Sequence, residues 1–246
     1  MNKMITSRQN GLVKRLRALK DKKNRDTAGE YVVEGAKSVR EAIACGGKVV
    51  LTAATESGAA LIRDLNLEPE ILSDDVFSSV SEEVSPQGVL AVLKKPSENL
   101  TELHEKCVLL DGVSDPANIG AIIRSAAAFG FNTVLIADGA DAYSNKAVRA
   151  SMGGIFRVKV FSETREDLLR TIKVPFVVAD MNGENLYVAD IPQAFCLVIG
   201  NEAHGVSKEL KAKATKTVSI PMQNGMESLN AAVSAGIVMY ALTLKK

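Results

Sequence analysis

Cysteine is scarce in this sequence and histidine scarcer: Cys45, Cys107 and Cys196, with His104 and His204, are all that 246 residues contain. The cysteines stand far apart, with no CxxC and no Cys/His ligand spacing. Each therefore reads as a small buried hydrophobe rather than a disulfide partner or metal ligand, and no metal is expected. Neither histidine has an Asp or Cys at relay spacing, and Ser228 lacks a G-x-S-x-G setting, which argues against a hydrolase triad. No G-x-G-x-x-G follows the first strand-like run of either half, and no G-x-x-x-x-G-K-[ST] is present, which weakens a dinucleotide-dependent dehydrogenase and a P-loop NTPase. Long apolar runs are also missing. The residues at 231–244 are interrupted by Ser and Gly and are too few for a membrane span, and the basic N-terminus lacks the apolar core of a signal peptide. The chain is therefore read as cytoplasmic, with no membrane partner. There is neither an internal repeat nor a low-complexity segment, and a hydrophobic content of 46% suffices for one large core or two modest ones.

A formal charge of +1 hides an asymmetry. The first 25 residues carry nine basic side chains (Lys3, Arg8, Lys14, Arg15, Arg17, Lys20, Lys22, Lys23 and Arg25) against one acid, Asp21. Such a cluster suits a polyanion, because each phosphate contact releases counterions and gives sequence-independent affinity. The other reading is a solvated helix face. Leu12, Val13, Leu16 and Leu19 recur at helical spacing, with Ser7 as a candidate cap and most basic residues on the other faces.

Short β-rich and helical runs then alternate: a strand at 31–33, a helix over 36–45 stopped by Gly46-Gly47, a strand at 48–52, a helix over 56–65 and a strand at 88–93. The polar run at 94–99, which holds Pro96, is the candidate linker between this small α/β unit and the rest. Beyond it, apolar runs at 107–110, 133–137, 176–179, 196–199 and 217–220 have the character of buried parallel strands. Helical segments at 118–129, 163–172, 208–214 and 228–244 separate them. The repeated βαβ pattern predicts an α/β domain with a parallel sheet and helices on both faces.

Ligands of such sheets bind beyond the carboxyl ends of the strands, so the loops after the apolar runs are where chemistry is sought. Three are unusually polar: 111–120, leading into a helix that carries Arg124; 200–207; and 221–230. In a parallel sheet all three lie on one edge and can share a pocket. Arg124 interrupts the otherwise apolar helix of Ile122, Ile123 and Ala126. Its burial there calls for an anionic partner such as Glu202 or a substrate phosphate. A satisfied core ion pair is the other reading.

These loops resemble the motifs of the SpoU (TrmH-like) branch of the SPOUT methyltransferases. The D-P-x-N-x-G-x-x-x-R pattern is met by Asp115, Pro116, Asn118, Gly120 and Arg124. The G-N-E-x-x-G pattern is met by Gly200, Asn201, Glu202 and Gly205, and I-P-M followed by S-L-N by Ile220-Pro221-Met222 and Ser228-Leu229-Asn230. The segment from Lys146 to Gly154 also looks like the family. One departure is that glycine more often stands two places after the Met of the third motif, where this chain has Asn224 followed by Gly225. The N-terminal part, through Ser7-Arg8-Gln9-Asn10, Val13-Lys14 and the run Tyr31 to Gly35, is similar to the ribosomal-protein-like substrate-binding domain that often precedes this catalytic domain.

The resemblance implies an RNA 2′-O-ribose methyltransferase that uses S-adenosylmethionine, with a substrate-binding domain over residues 1–96 and a methyltransferase domain over 104–246. It further implies a trefoil knot near the C-terminus, which general topology rules disfavour, and a homodimer with the active site at or near its interface. Arg124, Asn118, Glu202, Ser228 and Asn230 are the implied catalytic set, with Glu202 holding Arg124. Because arginine stays protonated, Arg124 is expected to act electrostatically on the alkoxide and phosphate. For Ser228 and Asn230, capping of the following helix is a second reading compatible with the first. Gly200, Ile220 and Leu229 are implied to contact the cofactor, largely through backbone atoms. Arg8, Lys14, Arg15, Lys22 and Lys23 are the expected RNA contacts. Ribosomal RNA is the preferred substrate and tRNA the runner-up. Base methylation and a non-catalytic RNA-binding protein on the same fold are the alternatives.

Overall fold

The computed structural model describes residues 4–224, 226 and 228–244. The chain divides into two compact units, one comprising Met1–Ser97 with Tyr143–Arg149, the other Glu98–Ala142 with Ala150–Lys246.

In the first unit, α1 (Gly11–Ala18), α2 (Lys22–Ala28), α3 (Ala36–Ala44), α4 (Glu56–Ala60) and α5 (Asp74–Val80) accompany a four-stranded sheet. Its strands are β1 (Glu30–Glu34), β2 (Val49–Ala54), β3 (Glu70–Ile71) and β4 (Val89–Lys94), in the order β1-β4-β2-β3, with β4 antiparallel to both neighbours. The apolar stripe of the N-terminal helix packs as its spacing predicts, Val13, Leu16 and Leu19 joining Val76, Phe77, Leu90 and Val92 in the core.

Several details differ from the sequence expectation. The cap of α1 is Asn10, whose Oδ1 accepts from the Leu12 amide at 2.8 Å, because the Ser7 hydroxyl is taken by the Gln9 amide at 3.2 Å. Asp21 caps a second helix, so the basic stretch is split between α1 and α2. Arg25 turns inward, only 4% exposed, and donates to the carbonyls of Leu19 and Lys20 at 2.8 and 2.6 Å, satisfying acceptors that the end of α1 leaves open. Lys94, read as linker, is the last residue of β4 and pairs in register with Glu30. The helix expected over 56–65 ends at Ala60 and resumes only as a 3₁₀ turn at Arg63–Leu65.

The second unit is a doubly covered parallel sheet. Its strands are β5 (Cys107–Asp111), β6 (Thr133–Ala137), β7 (Lys159–Ser162), β8 (Phe176–Asn185), β9 (Cys196–Gly200) and β10 (Ala214–Ser219). Their order is β10-β8-β9-β5-β6-β7, and every pairing is parallel. The helices are α6 (Pro116–Ala128), α7 (Asn145–Ala150), α8 (Arg165–Thr171), α9 (Lys208–Ala212) and α10 (Ala231–Thr243); α7 lies largely within the segment that groups with the first unit. All five expected strands are present. The sixth, β7, is an edge strand of mixed exposure with no apolar run to announce it. Cys107 and Cys196 are buried opposite each other on β5 and β9, whereas Cys45, expected inside, is exposed at the end of α3. From β5 the chain builds outward through β6 to β7, then returns to the other side to lay down β8, β9 and β10, so the order reverses between β5 and β9. That reversal opens a crevice at the carboxyl ends of these two strands. Among the described residues, no helix is long and apolar enough to cross a membrane.

Candidate active site

Asp111 and Gly200 end β5 and β9 as partners in register, so the first two polar loops leave the sheet side by side. Asn201 ties them together: its Nδ2 donates to the Gly112 carbonyl at 2.8 Å, while its Oδ1 accepts from the amides of Ala203 and His204 at 2.8 and 3.1 Å. Backbone bonds of 2.9 and 3.1 Å between Asn201 and Gly205 close the turn. A Cβ on Gly200 would lie 2.2 Å from the Gly205 carbonyl carbon, and Gly205 itself has φ +66°, so both glycines are required by the backbone path.

Across from this turn, α6 begins with Pro116 behind the Asp115 cap, whose carboxylate accepts from the Ala117 amide at 2.9 Å. Asn118 stands in the first turn. Its Nδ2 donates to Glu202 Oε1 at 2.7 Å, and its Oδ1 accepts from Asn230 Nδ2 at 3.0 Å. Asn230 Oδ1 in turn accepts from the amides of Ala232 and Val233, capping α10. Since each amide oxygen faces a donor and each amide nitrogen an acceptor, one chain of side chains, Glu202–Asn118–Asn230, links all three loops. Partial burial acts to raise the Glu202 pKa, but hydrogen bonds from Asn118 and Ser114 outweigh it and hold the carboxyl below the usual glutamate value.

The third loop reaches Asn118 although it starts at the sheet's outer strand, β10. It is brought back because α10 packs on α6, with the Phe129 and Tyr240 rings 5.6 Å apart and the Thr243 hydroxyl 3.3 Å from the Phe129 carbonyl. The helix expected from Ser228 begins at Ala231, since Asn230 serves as its cap. Ser228 and Leu229 are exposed just before that cap, while Gly200 and Ile220 are half-buried at the ends of β9 and β10. Gly225, the shifted glycine of the third motif, lies outside the described residues.

Arg124 departs from the expectation. It is exposed rather than buried, and its guanidinium has no hydrogen-bond or ion-pair partner among the described residues. The reason is helical geometry: six residues place it about 9 Å along the axis from Asn118 and on another face. Glu202 therefore meets the opening turn of α6 and not Arg124. Gly154 packs against the helix there, so close that a Cβ would lie 2.9 Å from the Arg124 Cα.

In the first unit the basic residues fall into two groups. Arg8 pairs with Asp75, and Arg15 with Glu30 at 2.7 Å. Lys14, Lys22 and Lys23 are exposed, with no side-chain partner among the described residues. Sequence reasoning passed over Asp111. This carboxylate, only 2% exposed, closes an apolar strand and accepts from Arg165 Nε and Nη2 at 2.9 and 2.8 Å and from the Ser207 amide at 2.7 Å. An acid ending a run of buried apolar residues was its only signal.

Comparison with known proteins gives the family. The sequence model of the SpoU rRNA methylase family matches residues 105–240, and that of an MRM3-like substrate binding domain matches residues 10–91. The 23S rRNA (guanosine(2553)-2′-O)-methyltransferase RlmP of Bacillus subtilis is 33% identical over 98% of this chain and 99% of its own. The 23S rRNA (uridine(2479)-2′-O)-methyltransferase of Streptomyces viridochromogenes is 32% identical, covering 96% and 90% of the two chains. Among solved structures, the AdoMet-bound rRNA methyltransferase from Sinorhizobium meliloti superposes with a TM-score of 0.85 at 29% identity, over 97% of this chain and 96% of that one. With its three signature loops joined by one hydrogen-bonded chain at the switch point of a parallel sheet, and with relatives matched along nearly its full length, the chain belongs to the SpoU rRNA methylase family.

Proposed function

We propose that this protein methylates a ribose 2′-hydroxyl in RNA, ribosomal RNA in preference to tRNA, with S-adenosylmethionine as donor. The observation that carries the reading is the Glu202–Asn118–Asn230 chain, which assembles three loops from distant sequence at one sheet edge. The activities by which the relatives are named and the AdoMet-bound neighbour support it. The lining also suits that cofactor: Gly200 leaves no room for a side chain against the Gly205 backbone, and Ile220, Met222 and Leu229 offer apolar surface in the third loop. Gly200, Ile220 and Leu229 hold the cofactor largely through backbone atoms. Bound there, S-adenosylmethionine supplies a methyl group on a sulfonium.

The protein's own work is positional and electrostatic. A ribose hydroxyl is a poor nucleophile while protonated, so it must be held in line and its developing charge stabilised. Arg124, permanently cationic and unpaired among the described residues, grips a phosphate and stabilises the alkoxide. Asn118, held from both sides, orients the ribose, while Glu202, Ser228 and Asn230 complete the polar wall. Residues 104–246 carry this chemistry and residues 1–96 bind RNA. Lys14, Lys22 and Lys23 are the principal phosphate contacts, while Arg8 and Arg15 must share themselves with Asp75 and Glu30.

A homodimer belongs to the same reading. On α10 and its C-cap, Val233, Ile237, Tyr240 and the capping Leu244 are 50%, 36%, 53% and 64% exposed at helical spacing, on a helix whose other face is already buried. A helix apolar on all sides requires cover on all sides, and a second copy at α10 would also set Arg124 beside an interface. A trefoil knot near the C-terminus belongs to the same reading, as does a cytoplasmic location.

The test is transfer of labelled methyl to total RNA. Wild type labels ribosomal RNA, and Arg124→Ala slows transfer by about 10²–10³, as removal of a transition-state charge partner does. Absence of label with wild type, or an Arg124→Ala variant as fast as wild type, overturns the reading; label confined to tRNA reassigns the substrate.

A further inference from the structure

We infer that Asp111, clamped by Arg165, is a positioning residue that fixes the loop at 201–207 through the Ser207 amide. The inference rests on the proposed role of that loop in holding the cofactor. A buried carboxylate persists only where its charge is matched and its oxygens are hydrogen-bonded. Asp111 meets both needs, and its partners divide by oxygen: Arg165 occupies Oδ1 through Nε and Nη2, while Oδ2 takes the Ser207 N–H at 2.7 Å. Arg165 opens α8 and also pairs at 2.9 Å with Asp138, just beyond β6, whose backbone has φ +50°. The clamp therefore joins the ends of β5 and β6, the start of α8 and the start of α9.

Its effect on the loop is directional. One end is tied by Asn201 to the Gly112 carbonyl, the other by Ser207 to the Asp111 carboxylate, so both ends are anchored to consecutive residues of one strand end. Glu202 and the turn at Gly205 lie between these anchors. Stability alone does not account for the arrangement, because an apolar pair of similar size commonly matches or exceeds a buried ion pair in stability. An apolar residue at position 111 would fill the space but accept nothing from the Ser207 N–H.

One backbone hydrogen can be removed with little else. Ser207 has φ −58° and ψ 153° at the start of α9, values that proline adopts, so Ser207→Pro deletes the donor while keeping the path. Lys208→Pro is the control. It places proline at the first helical position, where the N–H has no helical partner and the preceding residue's extended ψ is compatible. Affinity for S-adenosylmethionine is measured by calorimetry on the full-length protein, and KM is determined separately for S-adenosylmethionine and RNA. Ser207→Pro is expected to raise the Kd and KM for S-adenosylmethionine roughly ten-fold, the scale of a charge-assisted hydrogen bond, with the KM for RNA unmoved. Lys208→Pro is expected to change neither. If Ser207→Pro does not fold, Arg165→Met decides, since it frees Asp111 from the clamp and is expected to weaken S-adenosylmethionine binding in the same selective way. Folded Ser207→Pro or Arg165→Met protein that binds S-adenosylmethionine as wild type does overturns the inference, as does equal weakening by Lys208→Pro. Wild type that binds no S-adenosylmethionine refutes the cofactor role of the loop instead, so the two failures are distinct.

Discussion

Asn230 performs two tasks that one substitution can separate. Its Oδ1 caps α10 by accepting from the amides of Ala232 and Val233 at 2.9 and 3.2 Å, while its Nδ2 donates to Asn118 at 3.0 Å. Asn230→Asp keeps an oxygen at the cap, with a charge favourable to the helix N-terminus, but turns the donor toward Asn118 into an acceptor. Asn118 cannot answer by rotating its amide without withdrawing its donor from Glu202. The expected outcome is a folding stability within about 0.5 kcal/mol of wild type, and methyl transfer reduced about ten-fold or more as the three loops lose their register. Asn230→Ala should instead abolish both tasks, with about 1 kcal/mol of cap stability gone, a fall in Tm of about 2–4 °C, and a similar fall in rate. Thermal melts with labelled-methyl assays on the same preparations separate these outcomes. An Asn230→Asp variant that transfers methyl at the wild-type rate, or that melts as low as Asn230→Ala, would refute the two-task account.

Gly200→Ala drives a Cβ to 2.2 Å from the Gly205 carbonyl carbon, a backbone clash no rotamer relieves, and should cost about 1–3 kcal/mol in denaturant melts together with S-adenosylmethionine affinity. Replacing Lys14, Lys22 and Lys23 by Ala should weaken RNA binding with little dependence on sequence and flatten the plot of log affinity against log salt by about 0.7–0.9 for each phosphate left without its lysine; an unchanged slope excludes these residues from the RNA interface. Burial acts to raise the pKa of Glu30, yet hydrogen bonds from Arg15 and Lys94 hold it below the usual 4.5. A depressed folded-state pKa means stability that is fully present above the unfolded value and disappears as pH falls through the folded one. Glu30→Gln should therefore destabilise by on the order of 2 kcal/mol at pH about 7 and by much less at pH about 3 in urea titrations; equal effects at both would contradict the assignment.

The parallel sheet was legible in sequence because its strands are buried on both faces and leave uninterrupted apolar runs, as Cys107 to Leu110 and Cys196 to Ile199 do. The edge strand β7 was not, because its two apolar residues, Val160 and Phe161, are only half-buried and are flanked by exposed Lys159 and Ser162, too short a run to stand out. Loop positions were read correctly from where apolar runs stop. The partners within the loops were not, since a choice such as Glu202 with Asn118 rather than Arg124 depends on which helical face the fold turns toward the crevice. Side chains that satisfy backbone groups were equally hidden. Arg25 looked like one more surface cation, yet it closes the end of α1, and Asp111 looked like the end of a strand, yet it takes an amide from a loop 96 residues away.

The central claim is the site of methylation. Digestion to nucleosides of ribosomal RNA treated with the enzyme and isotopically labelled S-adenosylmethionine, followed by mass spectrometry, reads it directly. Label is expected on a ribose as a 2′-O-methylnucleoside, appearing about 10²–10³ more slowly when Arg124→Ala replaces wild type. Label on a base, or none on RNA of any kind, would contradict it.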